Sequence, residues 1–244
     1  MKNKGLIFTL RLFTILSIII AAGCGAPAEK NAEVADEHNV LTDEEITEGW
    51  MLMFDGTTLN GWRGYLRPDV PDGWIVEDGT IFLEEGGDGD IMFDRKFLEF
   101  HLKVDWKISE GGNSGIFYLI QELEGRRLWH SAPELQLLDN DAYTDLNHNQ
   151  YAPALYDLVP ASPQNTRPAG EWNTVEVIIK DKYIIHRQNG EEVVRVSIDT
   201  PEWDAMVEES KFPSDVFAEY VPGYIALQDH GDQVWFRNLK IIEL

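Results

Sequence analysis

Residues 97–108 alternate without a break: Leu98, Phe100, Leu102, Val104, Trp106 and Ile108 interleave with Glu99, His101, Lys103, Asp105 and Lys107. Successive side chains of an extended strand leave opposite faces. The run therefore predicts a long strand with one face in a core and the other in water. His101 falls on the polar face and reads as solvated surface, not as a ligand.

Turn signals multiply the strands around it. Asp78-Gly79 splits 74–83 into a hairpin, Lys180-Asp181 joins 172–179 to 182–188, and Asn189-Gly190 turns the chain into 193–198. Short strands are also expected at 51–54, 116–120, around Glu134 and Gln136, at 223–228 and at 234–242. Helix is confined to two places. Thr42 with Glu45 forms a capping box, and 204–210 makes a helical turn whose Trp203 and Met206 suit core packing. Ten or more short strands with regular turns and no solenoid repeat point to an all-β fold, a two-sheet antiparallel sandwich.

The N-terminus has a different composition. Lys2 and Lys4 precede an apolar run from Leu6 through Ala22, interrupted by Arg11 and ending at Gly23-Cys24. That is the form of a secretory signal peptide, since a charge in a run already marginal in length argues against a spanning helix. Ala21-Ala22-Gly23-Cys24 resembles a bacterial lipobox, with Cys24 as the lipidated first residue of the mature chain. The expected product is an exported lipoprotein, membrane-anchored on the periplasmic side or at the cell surface. Residues 1–23 are read as signal, 24–40 as a flexible tether rich in Ala, Glu and Asp, and 41–244 as one domain.

Cys24 is the only cysteine, so no intrachain disulfide or cysteine metal cluster can form. The formal charge is −23; loss of the three basic leader residues takes it to −26. Such a field repels nucleic acid and anionic headgroups, and leaves membrane contact only through a lipid on Cys24. Neutral ligands such as sugars remain open, as do divalent cations. No cofactor is required; the acidic surface leaves room for a structural calcium ion, although no ligand spacing demands one.

Chemistry concentrates in 129–140, which reads W-H-S-A-P-E-L-Q-L-L-D-N. As a strand it places Glu134 and Gln136 on one face and Leu135 and Leu137 on the other. Glycines at 111, 112 and 115 permit a bulge or close backbone approach and leave Asn113 at a strand entrance. In the late strand Ile225 and Leu227 take one face, which leaves Ala226, Gln228 and His230 on the other. Convergence of these groups suits a sugar, because amides both donate and accept while a carboxylate can also act as a base. The irregular segment 140–167 is expected to wall a binding face, and Tyr156 or Trp172 could stack on a sugar ring.

Several blocks together resemble one family: Gly49-Trp50 with Phe54-Asp55-Gly56-Thr57-Thr58-Leu59-Asn60-Gly61-Trp62, Gly112-Asn113-Ser114-Gly115-Ile116, Glu134-Leu135-Gln136-Leu137-Leu138-Asp139-Asn140, Glu171-Trp172-Asn173, Ser210-Lys211-Phe212, Ile225-Ala226-Leu227-Gln228-Asp229-His230-Gly231, and Phe236-Arg237-Asn238. In this order the chain is similar to the 3-keto-disaccharide hydrolase domain family, formerly a domain of unknown function and common in bacterial lipoproteins. The resemblance implies a concanavalin A-like jelly roll and activity on 3-keto-glycosides. A ketone at C3 acidifies the C2 hydrogen, so a base can remove it, the C1 substituent can leave, and water addition completes a net hydrolysis. Laminarinase-type glucanases of the same fold class place carboxylates at i, i+2 and i+4; here those places hold Glu134, Gln136 and Leu138, so their acid and nucleophile pair is missing. Glu134 is then the first candidate for general base and His230 the second. Asn113, Gln136 and Gln228 are expected to hold hydroxyls or stabilise an enolate, with Tyr156 and Trp172 as further substrate contacts. The alternative reading is a non-catalytic carbohydrate-binding module using the same face.

Overall fold

The computed structural model of the chain describes residues 38–84, 86–213 and 215–244. Cys24, the leader and nearly all of the tether lie outside them. Helix α1 (Asp43–Glu48) opens on the expected capping box: Thr42 Oγ1 accepts from Glu45 N at 3.2 Å, and Thr42 N donates to Glu45 Oε2 at 2.9 Å.

Strands β1 (Met51–Leu52), β2 (Trp62–Gly64), β3 (Trp74–Glu77), β4 (Thr80–Leu83), β5 (Ile91–Phe97), β6 (Phe100–Ile108), β7 (Asn113–Ile120) and β8 (Glu134–Leu138) come first. β9 (Asn173–Lys180), β10 (Tyr183–Gln188), β11 (Glu191–Ser197), α2 (Pro201–Glu209), β12 (Gly223–Leu227) and β13 (Val234–Glu243) follow. They form a two-sheet antiparallel jelly-roll sandwich. The larger sheet runs β11-β10-β9-β6-β13-β4-β3, with β1 also paired to β13, and the smaller runs β2-β5-β12-β7-β8.

The expected strand at 97–108 is two strands. β5 ends at Phe97 and β6 begins at Phe100, because the chain turns at Leu98-Glu99. Glu99 anchors that turn: its carboxylate accepts from Asp181 N at 2.8 Å and from the Tyr220 hydroxyl. Within β6 the alternation holds in full, with Phe100, Leu102, Val104, Trp106 and Ile108 buried and the intervening residues partly exposed. Phe100, Leu102 and Val104 pair with Ile179, Val177 and Val175 of β9. Each such side chain taken out of water contributes roughly 1.5–3 kcal/mol.

The hairpins follow their turn residues. Asp78 and Gly79 have φ of 47° and 72°, and Asn189 and Gly190 have 50° and 88°. Positive φ at both central positions is the geometry whose twist matches paired strands. In α2, Thr200 caps Trp203 N at 3.1 Å and Pro201 opens the first turn, which puts Trp203 and Val207 into the core.

β8 is an edge strand, and 154–156 covers it. Gln136 N donates to Ala154 O at 3.1 Å and Tyr156 N to Glu134 O at 3.0 Å, so part of the long segment 140–167 consumes backbone groups that would otherwise stay open. Asn140 holds this segment from both sides, donating to Ala152 O and accepting from Ala152 N at 2.9 Å each. A buried polar link crosses the sandwich. His186 of β10 lies 2.8 Å from the Tyr118 hydroxyl of β7 and 3.2 Å from Pro153 O. A carbonyl only accepts, so His186 Nδ1 donates to Pro153 and Nε2 accepts from Tyr118.

Candidate functional site

The site lies on the outer face of the smaller sheet, and side-chain parity places it there. Ile91, Ile116, Leu135 and Leu227 face the inter-sheet core. Their neighbours Asp90, Gly115, Glu134, Gln136 and Gln228 therefore turn outward. A second apolar cluster that includes Met92, Phe117 and Ala226 forms the floor of this outer face. Above it opens a cleft of about 620 Å³. Small-molecule sites run roughly 300–1,000 Å³.

Glu134 is 5% exposed and Gln136 3% exposed, so the polar face of β8 is almost shut off from water. Glu134 gets its place through a missing atom. A Cβ at Gly115, the residue paired with Gln136, would stand 2.3 Å from Glu134 Oε1. The carboxyl thus leans over Gly115 toward the middle of the sheet. No described residue hydrogen-bonds to it. Loss of solvent pushes its pKa up to about 8, against the nearby Lys211 ammonium and with the Asp90 charge adding to the rise.

Amides line the same cleft as this carboxyl. Gln136 Nε2 donates to Asn113 Oδ1 at 3.2 Å, and Asn113 Nδ2 lies 3.4 Å from His230 Nε2. Asn113 N donates to Asp232 Oδ2 at 3.0 Å, which fixes the start of β7. Gln228 N bonds Gly115 O at 2.9 Å, and its Oε1 is buried with no partner among the described residues. A buried acceptor left unpaired costs about 1–3 kcal/mol, which a hydrogen bond gained by a turn of the side chain into the cleft would offset.

Five of the expected residues therefore meet: Asn113, Glu134, Gln136 and Gln228 around the floor, and His230 exposed at the rim. Tyr156 joins them as part of the wall, with Lys211 Nζ 4.3 Å from its ring centroid. Trp172 does not join them. It shares outward parity with Thr174 beside β9 and lies under Arg237, 3.9 Å from its ring, on the outer face of the larger sheet.

Asp90, Arg127, Trp129, Tyr65 and Lys211 also line the cleft and were not expected there. Asp90 ends a loop of glycine and acid that carries no periodic pattern, so nothing local marked it. Lys211 had a signal, because it stands inside the Ser210-Lys211-Phe212 block. Trp129 lies in the 129–140 stretch, stacked on His130 at 3.9 Å, and presents a ring of the kind that sugars pack against. Among the described residues no group of three or more His, Cys, Asp or Glu is placed to hold a metal ion.

Residues 49–242 match a family described as the 3-keto-alpha-glucoside-1,2-lyase-like domain. A 3-keto-disaccharide hydrolase of Bacteroides thetaiotaomicron is 39% identical over 226 residues, covering 80% of this chain and 78% of the relative. A solved structure of a candidate glycosyl hydrolase from Parabacteroides distasonis aligns with a TM-score of 0.80 at 33% identity, over 85% of this chain and 100% of that one. A second from the same bacterium gives 0.60 at 26% identity, over 80% of this chain and 84% of the other.

Proposed function

Because the chain belongs to the 3-keto-alpha-glucoside-1,2-lyase-like domain family, we propose that it cleaves 3-keto-glycosides and 3-keto-disaccharides by proton abstraction at C2 and elimination at C1, with water addition completing a net hydrolysis. Its class is that of a glycosidic-bond-cleaving enzyme acting on 3-keto sugars. The observation that carries the mechanism is Glu134. It is a buried carboxyl with no hydrogen-bonding partner among the described residues and a pKa pushed up to about 8. A desolvated carboxylate is a stronger base than a solvated one, and its pKa sits near the pH at which it must accept a proton.

Removal of the C2 proton moves negative charge from Glu134 toward the C3 oxygen. Gln136 and Asn113 present amide donors beside it, and Lys211 adds a cation to the same cleft. Gln228 Oε1 is buried with no partner among the described residues, and a turn of its side chain would bring it to a sugar hydroxyl. Tyr156 and Trp129 offer ring faces for the sugar's apolar side. On β8 a second carboxylate for double displacement is missing, since Gln136 occupies that place.

The test is direct. Purified protein is incubated with a 3-keto-disaccharide and with its unoxidised parent, and reducing sugar is measured. Release from the keto substrate alone is expected. Binding of both without release would reassign the chain as a carbohydrate-binding module.

We also propose export as a lipoprotein anchored through Cys24. The Ala21-Ala22-Gly23-Cys24 sequence supports it. Cys24→Ala is expected to move the protein from the membrane to the soluble fraction; an unchanged partition would remove the anchor.

A further inference from the structure

Asp90 stands across the cleft floor from Glu134. It immediately precedes β5, and Ile91 pairs with Leu227, which in turn pairs with Ile116. One residue further along lies an outward-facing row of Asp90, Gln228, Gly115 and Gln136. Glu134 holds its carboxyl over Gly115, so its head and the Asp90 backbone are two strand spacings apart, about 10 Å at 4.8 Å each. Gln228 lies between them. A pyranose set on Gln228 would have one carboxyl toward each end.

The surroundings of Asp90 leave one oxygen free for chemistry. Oδ1 accepts from Asp229 N at 2.9 Å, and Oδ2 receives no hydrogen bond from the described residues. Asp229 is a clamp and not a competing acid, because its own carboxylate is taken up by the Gly87, Gly89 and Gly231 amides at 2.7, 2.9 and 3.0 Å. Lys211 and Arg127 line the same cleft and favour the ionised forms of Glu134 and Asp90 respectively.

Resting on the elimination reading above, we propose that Asp90 is a second catalytic residue, acting as general acid on the departing C1 oxygen and then as general base on water. Glu134 takes the C2 proton, and the C–H electron pair becomes the enolate of the C3 ketone. The enolate collapses to restore C3=O, C1=C2 forms, the bond from C1 to the aglycone oxygen breaks, and Asp90 gives that oxygen its proton. The products are an enone and the free alcohol. In the second half Asp90 takes a proton from water, hydroxide adds at C1, and the resulting enolate recovers the C2 proton from Glu134. Both carboxyls return to their starting states, and the sum is one glycoside and one water giving two alcohols.

Desolvation first, then the Asp229 charge, pushes Asp90 up to about 6, against the Asp229 N–H bond and the Arg127 guanidinium. Asp88 lines the same cleft, and Glu134, Lys211 and His230 face it from the other elements. With Glu134 near 8, the form this reaction needs, Glu134 ionised and Asp90 protonated, is the minority form, and its share is greatest between about 6 and 8.

The test compares 3-keto-glucosides bearing 4-nitrophenyl and methyl aglycones in wild type, Asp90→Asn and Asp90→Glu. Asparagine keeps an oxygen for Asp229 N–H but cannot protonate a leaving group. Asp90→Asn is expected to lose about 10²–10⁴-fold on the methyl glycoside. Its loss on nitrophenyl, which departs without a proton, should be far smaller. The Asn variant should still exchange the C2 hydrogen of the methyl 3-keto-glucoside with D₂O, and should lack the high-pH fall in kcat/KM that wild type shows as Asp90 ionises. Asp90→Glu should regain part of the methyl-glycoside activity. Equal loss on both aglycones would make Asp90 merely structural and overturn the proposal. Wild type that neither cleaves nor exchanges would overturn the elimination reading itself, and the role of Asp90 with it.

Discussion

Burial of Glu134 carries a cost in stability. Its carboxyl ionises near pH 4.5 when unfolded and near 8 when folded, so the folded state holds its proton more tightly. The associated stability is present below the unfolded value and is lost as pH rises toward 8. At pH 8 the loss is on the order of 4 kcal/mol by linkage. Glu134→Gln, which needs no ionisation, is therefore expected to melt higher than wild type at pH 8 and about equally at pH 4.5, while its cleavage rate falls by about 10²–10⁴-fold. Thermal melts at the two pH values with a reducing-sugar assay check both halves; retained turnover would free Glu134 of the role. Gly115→Ala makes the companion case. Its Cβ would meet Glu134 Oε1 at 2.3 Å, so the carboxyl must swing away. Activity should drop while Tm moves much less, and an unaltered kcat would show that the carboxyl's placement over Gly115 is irrelevant. At this scale the sequence was partly legible. The pairing of Glu134 with Gln136 followed from alternation, whereas Asp90 had no pattern around it because its position depends on which strand lies beside β5.

Among the elements, β6 was readable because one face of a strand is buried along its whole length. The turn at Leu98-Glu99 was not, since nothing in the alternation breaks there. It is fixed by Glu99 reaching Asp181 and Tyr220, 82 and 121 residues away. Of the segment 140–167 only Tyr156 lines the cleft, and the segment's role as a cover for the edge of β8 was not legible. Asn140 secures it, and Asn140→Ala removes two hydrogen bonds to Ala152. At about 0.5–1.5 kcal/mol for each bond, the segment should loosen before the sheets do. Hydrogen exchange at the Gln136 and Tyr156 amides is expected to speed up and KM to rise more than kcat falls. Unchanged exchange at both amides would show that the segment is held some other way.

For the whole molecule, the link from Tyr118 through His186 to Pro153 ties the two sheets to the loop. Burial pushes the His186 imidazole down to about 4 from 6.5. A depressed histidine favours the folded state only while neutral. Its contribution is complete above pH 6.5 and is lost as pH falls toward 4, on the order of 3 kcal/mol. Tyr118→Phe with His186→Phe removes both polar partners together, and the double variant is expected to show a shallower loss of Tm between pH 6.5 and 4. An unchanged slope would place the acid sensitivity in other groups.

The local order of the chain was determined by its sequence: strand alternation, hairpin turns with positive φ, helix caps, and which side chains share a face. These depend on backbone geometry and near neighbours alone. The face on which Trp172 ends up, the distance from Asp90 to Glu134 and the vacancy over Gly115 were decided only in the tertiary structure. Each depends on strand order within a sheet, where residues 44 apart in sequence come to share one cleft, and strand order follows from how two sheets bury their apolar faces against each other.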